Sequence, residues 1–243
     1  MKFKSTETHR FFVPPDMIAL DRVVFPTDET RHASKVLRLT KGDRVIVIDG
    51  VGGTYYCELE TVTSKSAVAK IESREMNLAE PAHQIRMSVG LLKQSARWET
   101  FLEKAVELGA NQITPLVSSR MQKQSFNRRR AEAILIAAVK QSGRSRIPSL
   151  DEPTSFEDII SQEADCKIIC HEQSSESERL LDVITGKPST VSLLIGPEGG
   201  FSQDEITEAR SKGWKEVWLG ERRLRTETAA IAALAIANQY LEL

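Results

Sequence analysis

Two short apolar runs near the C-terminus each end in a turn of glycine and charge, and each turn leads into a helical pattern. The first run, Val191 to Ile195, precedes Gly196-Pro197-Glu198-Gly199-Gly200 and then Phe201-Ser202. The second, Val217-Trp218-Leu219, precedes Gly220, the charged stretch Glu221 to Glu227, and an almost wholly apolar segment from Thr228 to Leu241. Strand, turn and helix in that order place a ligand at the carboxyl end of a parallel strand. Glycine in such a turn lets backbone groups approach the ligand closely. Either turn alone reads as a tight connection and nothing more. Two within so short a span, both charged, predict a site.

The chain upstream supplies the rest of that architecture. Ile85 to Leu92, Ile113 to Val117 and Lys167 to Cys170 are apolar strand candidates. Trp98, Phe101, Leu102, Ala105 and Val106 have helical spacing, with Gly109 as the stop. Further helices are predicted over 128–142, after Ser155 with Asp158, and over 177–185. Ser202 and Glu205 form a capping box and Phe201 and Ile206 a hydrophobic staple, which fix the first turn of the helix behind the glycine loop. Five strands separated by helices predict an α/β domain with a mainly parallel sheet.

Residues 1–75 read differently, as a small β-rich domain. Arg44 to Asp49 alternates and ends in Asp49-Gly50, a hairpin signal. Thr54 to Val62 and Ser66 to Ile71 continue it, so Gly50, Gly52 and Gly53 are turn residues. No helix follows them, which excludes a dinucleotide fingerprint. A helix is predicted over 29–39; His32 on it has no second donor at metal spacing and reads as a surface or packing residue. Asn77 to Pro81 reads as a linker, giving domains 1–75 and 76–243. Neither internal repeats nor low-complexity segments occur.

Composition narrows the class. The chain has 243 residues, 40% hydrophobic and 28% charged, as an ordinary soluble protein has. No apolar run reaches the roughly 18 residues of a membrane span, and Met1 to Glu7 lacks the apolar core of a signal peptide. The three cysteines cannot form a disulfide framework. Cys166 and Cys170 read as core residues, not zinc ligands, and a reducing cytoplasm is expected. The net charge of −1 conceals segregation: Arg120 to Arg146 holds eight Lys/Arg against Glu132, whereas Asp151 to Asp182 holds ten Asp/Glu against Lys167 and Arg179. The basic run reads as a solvated helix face or as a phosphate-binding patch.

The first turn lacks the Lys-Ser/Thr of a Walker motif, and the chain has no Gly-x-Ser-x-Gly elbow, no catalytic His/Cys/Asp set and no metal cluster. What remains is backbone with Glu198, Glu221, Arg222, Arg223, Arg225, Thr226 and Glu227. Such a site suits group transfer between two bound reactants, where orientation supplies most of the rate.

Several stretches carry a specific resemblance. They are His9-Arg10-Phe11-Phe12-Val13; His32 through Val36-Leu37-Arg38-Leu39 to Gly42-Asp43; Lys93 with Glu99, Lys104 and Glu107-Leu108-Gly109; Gln141-Ser142-Gly143-Arg144; Ile195 to Phe201; and Leu219-Gly220 to Leu224-Arg225-Thr226-Glu227-Thr228-Ala229. In this order they resemble the bacterial 16S rRNA (uracil-N3)-methyltransferases of the SPOUT superfamily. Arg223 departs from the aliphatic residue usual there, and Lys140 from a common acid. The resemblance implies a PUA-like β-barrel RNA-binding domain, then an α/β domain with a trefoil knot, and a homodimer. It implies S-adenosyl-L-methionine held around Leu194, Gly196, Gly200, Leu219, Gly220, Leu224, Thr226 and Ala229, with no metal. Arg225 is the expected oxyanion or phosphate partner and Glu198 the candidate for base orientation or proton acceptance. Arg10, Arg38, Lys93, Arg128, Arg129, Arg130 and Arg144 are the expected contacts to 16S rRNA in the small subunit. A non-catalytic assembly factor and a tRNA ribose 2′-O-methyltransferase are the alternatives.

Overall fold

A computed structural model describes residues 9–118, 126–171 and 178–242. Its chain divides into two compact units: the residues up to Glu80 together with Ile136–Ile147, and Pro81–Leu135 together with Pro148 onward.

The first unit contains β1 (Arg10–Phe12), β2 (Arg22–Val24), α1 (Thr27–Arg31), β3 (Arg44–Ile48), β4 (Gly53–Val62) and β5 (Ala67–Met76). Its sheet has the order β1-β3-β4-β5-β2, antiparallel except for β1 beside β3. The β3–β4 hairpin is pinned by Asp49, whose carboxylate accepts from the Val51 and Gly53 N–H groups at 2.8 Å and from the Tyr55 hydroxyl at 3.1 Å. Register shifts at Tyr56/Cys57 and Leu59/Thr61 bend β4 against β5. The core of the unit gathers Phe11, Val23, Phe25, Val45, Val47, Cys57 and Leu59, and each large side chain so enclosed stabilises by about 1.5–3 kcal/mol. The helix expected over 29–39 begins earlier, at Thr27, and widens into a π turn over His32–Val36. His32 packs edge-on to Phe11 at 6.0 Å.

The boundary between the two units falls between Glu80 and Pro81, within the segment Asn77 to Pro81. β5 runs through Met76, past the expected break after residue 75, and Asn77 and Ala79 turn the chain with positive φ. The Glu80 carboxylate accepts from Arg144 at 2.8 Å and from the Ser145 and Arg146 N–H groups at 2.8 and 2.7 Å. Arg144 is thereby 3% exposed. It is a structural residue with its donors turned inward, which corrects its assignment as an RNA contact. Lys140, from the same returning segment, pairs with Glu29 at 2.6 Å.

The second unit holds β6 (Gln84–Gly90), α2 (Ser95–Glu107), β7 (Gln112–Val117), the first half of α3 (Arg128–Ser142), β8 (Ser149–Leu150), β9 (Thr154–Ser155), α4 (Phe156–Ile160), β10 (Cys166–Cys170), β11 (Glu178–Arg179), α5 (Leu180–Val183), β12 (Thr190–Ile195), α6 (Gln203–Ser211), β13 (Lys215–Trp218) and α7 (Thr226–Glu242). Every pairing in its sheet, ordered β11-β13-β10-β12-β6-β7-β8 with β9 also on β7, is parallel. The five long strands are those expected; the two-residue strands are additional. Of the helix expected over 177–185, Ser177 lies outside the described residues, while 178–179 are strand and only 180–183 are helical. The capping box at Ser202 is complete, with Ser202 and Glu205 each accepting from the other's N–H. Phe201 and Ile206 share one core cluster with Leu116, Phe156 and Trp214. α7 begins two residues before the expected Thr228, so Thr226 and Glu227 are helical. It buries Ala230, Ala233, Leu234, Ala237 and Leu241 at helical spacing and packs against α2, α5, β6 and β12.

Candidate active site

Parallel register brings three strand ends level: Cys170 at the end of β10 pairs with Ile195 of β12 on one side and Val217 of β13 on the other. Both glycine turns leave the sheet there and border a cavity of about 400 Å³. Cys170, Ile195, Phe201 and Trp218 give it an apolar lining, while Arg222, Arg223 and Arg225 line it with exposed cations. In the first turn the Pro197 carbonyl accepts from the Gly200 N–H at 2.9 Å. Gly200 (φ +66°) and Gly220 (φ +116°) hold backbone conformations that an L side chain rarely adopts. At these glycines the turns present backbone, not side chains, to the cavity.

The sequence-based cofactor set converges on this place. Gly196, Gly200, Leu219, Gly220, Leu224, Thr226 and Ala229 all line the cavity. Leu194 does not. Its side chain is fully buried with Leu116, Phe156 and Ile169, and its backbone lies between Ile169 of β10 and Ser88 of β6. Glu198 and Arg225 line the cavity and are exposed; Glu221 is exposed outside it. The Arg225 carbonyl accepts the Ala229 N–H at 2.8 Å, so α7 starts at the cavity wall. A helix N-terminus favours oxygen acceptors and negative charge.

Three contributors were not legible in the sequence. Arg97, in the first turn of α2, reaches Glu198 at 3.2 Å and Glu227 at 3.6 Å. It cross-ties the first turn to the first turn of α7. Glu198 is consequently paired with a cation. His171 follows β10 directly, lines the cavity, and places Nδ1 2.9 Å from Glu216. Gly90, the last residue of β6, lies beneath the Gly196–Pro197 turn with no room for a Cβ. The only general signal for His171 and Gly90 is their position at or just after the carboxyl end of a strand, and for Arg97 its place in the first turn of a helix. Burial pushes the Cys170 thiol up to about 12. At neutral pH it is a protonated wall group and not a nucleophile.

The expected RNA contacts divide. Arg38, Lys93 and Arg129 are exposed, and Arg38 sits in a left-handed turn at φ +54°. Arg10 is half-buried and donates to the Gly143 carbonyl at 3.4 Å. Arg128 pairs with Glu132 and Glu152, and Arg130 with Glu99 at 2.7 Å. Arg128 and Arg130 are thus partly neutralised by acids of α3 itself and of other elements, and surface pairs of this kind contribute about 0–1 kcal/mol and can exchange partners. Among the described residues no three His, Cys, Asp or Glu side chains gather as metal ligands, and no helix is long and apolar enough to cross a membrane.

Known proteins match both units. The family described as RNA methyltransferase domain matches residues 79–238, and that described as RNA methyltransferase PUA domain matches residues 25–72. Ribosomal RNA small subunit methyltransferase E of Synechocystis sp. is 31% identical over 96% of this chain and 78% of its own length. The protein so named from Mesomycoplasma hyopneumoniae is 34% identical over 93% of this chain and 97% of its own. Among solved structures, ribosomal RNA small subunit methyltransferase E from Neisseria gonorrhoeae bound to S-adenosyl methionine superposes with a TM-score of 0.87 at 28% identity, covering 96% of this chain and 97% of that one. A Legionella pneumophila methyltransferase in complex with the bound cofactor gives 0.85 at 30% identity, covering 96% and 97%. With a level-ended parallel sheet, two glycine turns and matches along nearly its whole length, the chain belongs to the RNA methyltransferase family that carries a PUA domain ahead of the methyltransferase domain.

Proposed function

We propose that this protein is an S-adenosylmethionine-dependent methyltransferase of small-subunit ribosomal RNA, acting on N3 of a uridine in 16S rRNA. The observation that carries the reading is the cavity at the level ends of β10, β12 and β13, lined by seven residues of the cofactor set. Its volume of about 400 Å³ lies within the roughly 300–1,000 Å³ of small-molecule sites. The donor set fits the cofactor. Turn N–H groups and carbonyls can meet adenosine and carboxylate polar atoms, and Ile195, Phe201, Trp218 and Leu219 can cover the ring faces. When bound, the cofactor supplies an electrophilic methyl on a sulfonium.

The chain's residues then have three tasks. The first is orientation: the glycine turns fix one reactant at the cavity while an unpaired base, turned out of its stack, enters from the exposed side. The second is charge. Loss of the N3 proton puts negative charge on O2 and O4 of the uracil, and the planar Arg225 guanidinium can donate to such an oxygen bidentately. The third is bracing: Arg97 holds Glu198 and Glu227 so that the turn bordering the base does not move. Arg10, Arg38, Lys93 and Arg129, with Arg128 and Arg130 after partner exchange, would hold RNA phosphates. A homodimer completes the reading. Ile231, Ala232, Ala235 and Ile236 of α7 remain partly exposed beside its buried face, and a second copy would cover them. The trefoil knot, the cytoplasmic location and the PUA-like role of residues 1–75 in RNA binding belong to this proposal.

Mass mapping of 16S rRNA from a deletion strain tests it: one uridine should lose a base methyl and regain it on complementation. Unchanged modification would overturn the proposal. Single-turnover methylation of small subunits separates the two catalytic candidates. Arg225→Lys keeps the charge but loses the fork, and turnover should fall about 10²-fold, as on losing one oxyanion donor. Glu198→Gln should lower turnover equally at every pH if Glu198 braces the turn, and should shift the pH profile if it accepts the proton.

A further inference from the structure

His171 has no part in the reaction as set out above, yet it lines the site directly after β10. Its N–H donates to the Val217 carbonyl at 3.1 Å. The register of Cys170 with Ile195 and Val217 therefore sets His171 level with Gly196 on one side and Trp218 on the other. It stands between the two turns, beside the buried strand ends, whereas Glu198 and Arg225 are exposed. Its side chain is 12% exposed. Nδ1 faces one oxygen of Glu216 at 2.9 Å, and the other oxygen of Glu216 is bound by Arg210 of α6. Glu216 is itself buried, with a side chain 5% exposed. A carboxylate held by an arginine accepts and does not donate. Nδ1 therefore carries a proton toward Glu216, and in the neutral tautomer so fixed Nε2 is the acceptor.

We infer that His171 is a cofactor-recognition residue, its Nε2 accepting a hydrogen bond from an N–H or O–H donor of the adenosine portion of the ligand. The inference rests on the proposed cofactor and adds the side chain that reads it. Two adenosine groups have the required chemistry: the 6-amino group and the ribose hydroxyls. The turns offer backbone donors and acceptors to any ligand of suitable shape, and a fixed imidazole acceptor adds a demand for a donor at one point. The Glu216–Arg210 pair acts as the positioning element, since it sets which nitrogen faces the cavity.

Calorimetric titration with S-adenosylhomocysteine tests this without turnover. Parental protein that fails to bind it refutes the cofactor assignment itself, a different result from failure of the His171 role. His171→Phe keeps a ring of similar size and removes the acceptor, so affinity should fall about tenfold, the magnitude of one buried hydrogen bond. His171→Gln, which retains an acceptor, should recover part of that loss. S-inosylhomocysteine, which lacks the 6-amino donor, and the 2′- and 3′-deoxy analogues of S-adenosylhomocysteine then locate the bond. One of them should bind the parent about tenfold more weakly than S-adenosylhomocysteine and bind His171→Phe with no further loss. The analogue that behaves so identifies the amino group or the hydroxyl. If His171→Phe binds S-adenosylhomocysteine as the parent does, or discriminates against all the analogues as the parent does, the inference is wrong.

Discussion

Gly90 offers a direct test of how the cofactor turn is held. A Cβ on Gly90 would stand 2.4 Å from the Pro197 nitrogen, 2.5 Å from its Cα and 2.9 Å from the Gly196 carbonyl carbon. All three are backbone atoms, so no side-chain rotation relieves them. Ordinary contact begins near 3.4 Å, and something must move by about 1 Å. β6 is the less free to move, because Val89 pairs with both Ile195 and Pro115 and Gly90 pairs with Leu116. The Gly196–Pro197 turn would yield instead. Gly90→Ala should then destabilise by about 1–3 kcal/mol, as overpacking does. At about 2–4 °C per kcal/mol for a chain of this size, the melting temperature should fall measurably. The functional effect should be larger than the stability effect suggests. A turn displaced by about 1 Å in a site built on orientation costs on the order of 10²-fold in rate, read by single-turnover methylation of small subunits with protein confirmed as folded. If Gly90→Ala melts and turns over as the parent does, the turn is not held against β6.

Three further outcomes follow from the geometry. Arg144→Met should leave the Glu80 carboxylate buried without its cation and cost about 3–5 kcal/mol, measured by urea unfolding, whereas Arg129→Met should change stability by less than about 0.5 kcal/mol. Replacing Arg10, Arg38 and Arg129 in turn should weaken RNA binding without altering sequence preference and flatten the salt dependence by about one unit of slope each; an unchanged slope in the triple variant refutes the assignment. Burial pushes the Cys57 and Cys170 thiols up to about 12, so at pH 8 both stay protonated in the native state. A colorimetric thiol reagent should reach at most Cys166 before denaturation and all three cysteines after it.

Where sequence and structure agree, the signal was local and repeated. The five long strands and the helix over 128–142 carry enough residues for a period, and the Ser202 capping box is written in adjacent residues. β8, β9 and β11 have two residues each, too few to show alternation, and exist because a longer neighbour offers an edge. Arg144 was misread for a related reason. A run of basic residues reports charge, not partners, and its partner Glu80 lies 64 positions earlier. Arg97 was missed because its role is defined by Glu198, 101 positions away. Leu194 shows the opposite error: adjacency to a functional turn does not expose a residue whose backbone is committed to the sheet on both sides.

The return of Ile136–Ile147 to the first unit has a consequence for synthesis. When Glu80 leaves the ribosome, the arginine that neutralises it and the Ser145 and Arg146 N–H groups that bind it have not been made. At about 5–20 residues per second the chain needs roughly 3–13 s more to reach residue 147. During that interval the curled front sheet has a carboxylate whose burial nothing yet compensates, and the 81–135 segment emerges before its predecessor can close. A fragment ending at residue 80 remains in that state for good: it has the strands of the first unit without the segment that seals it.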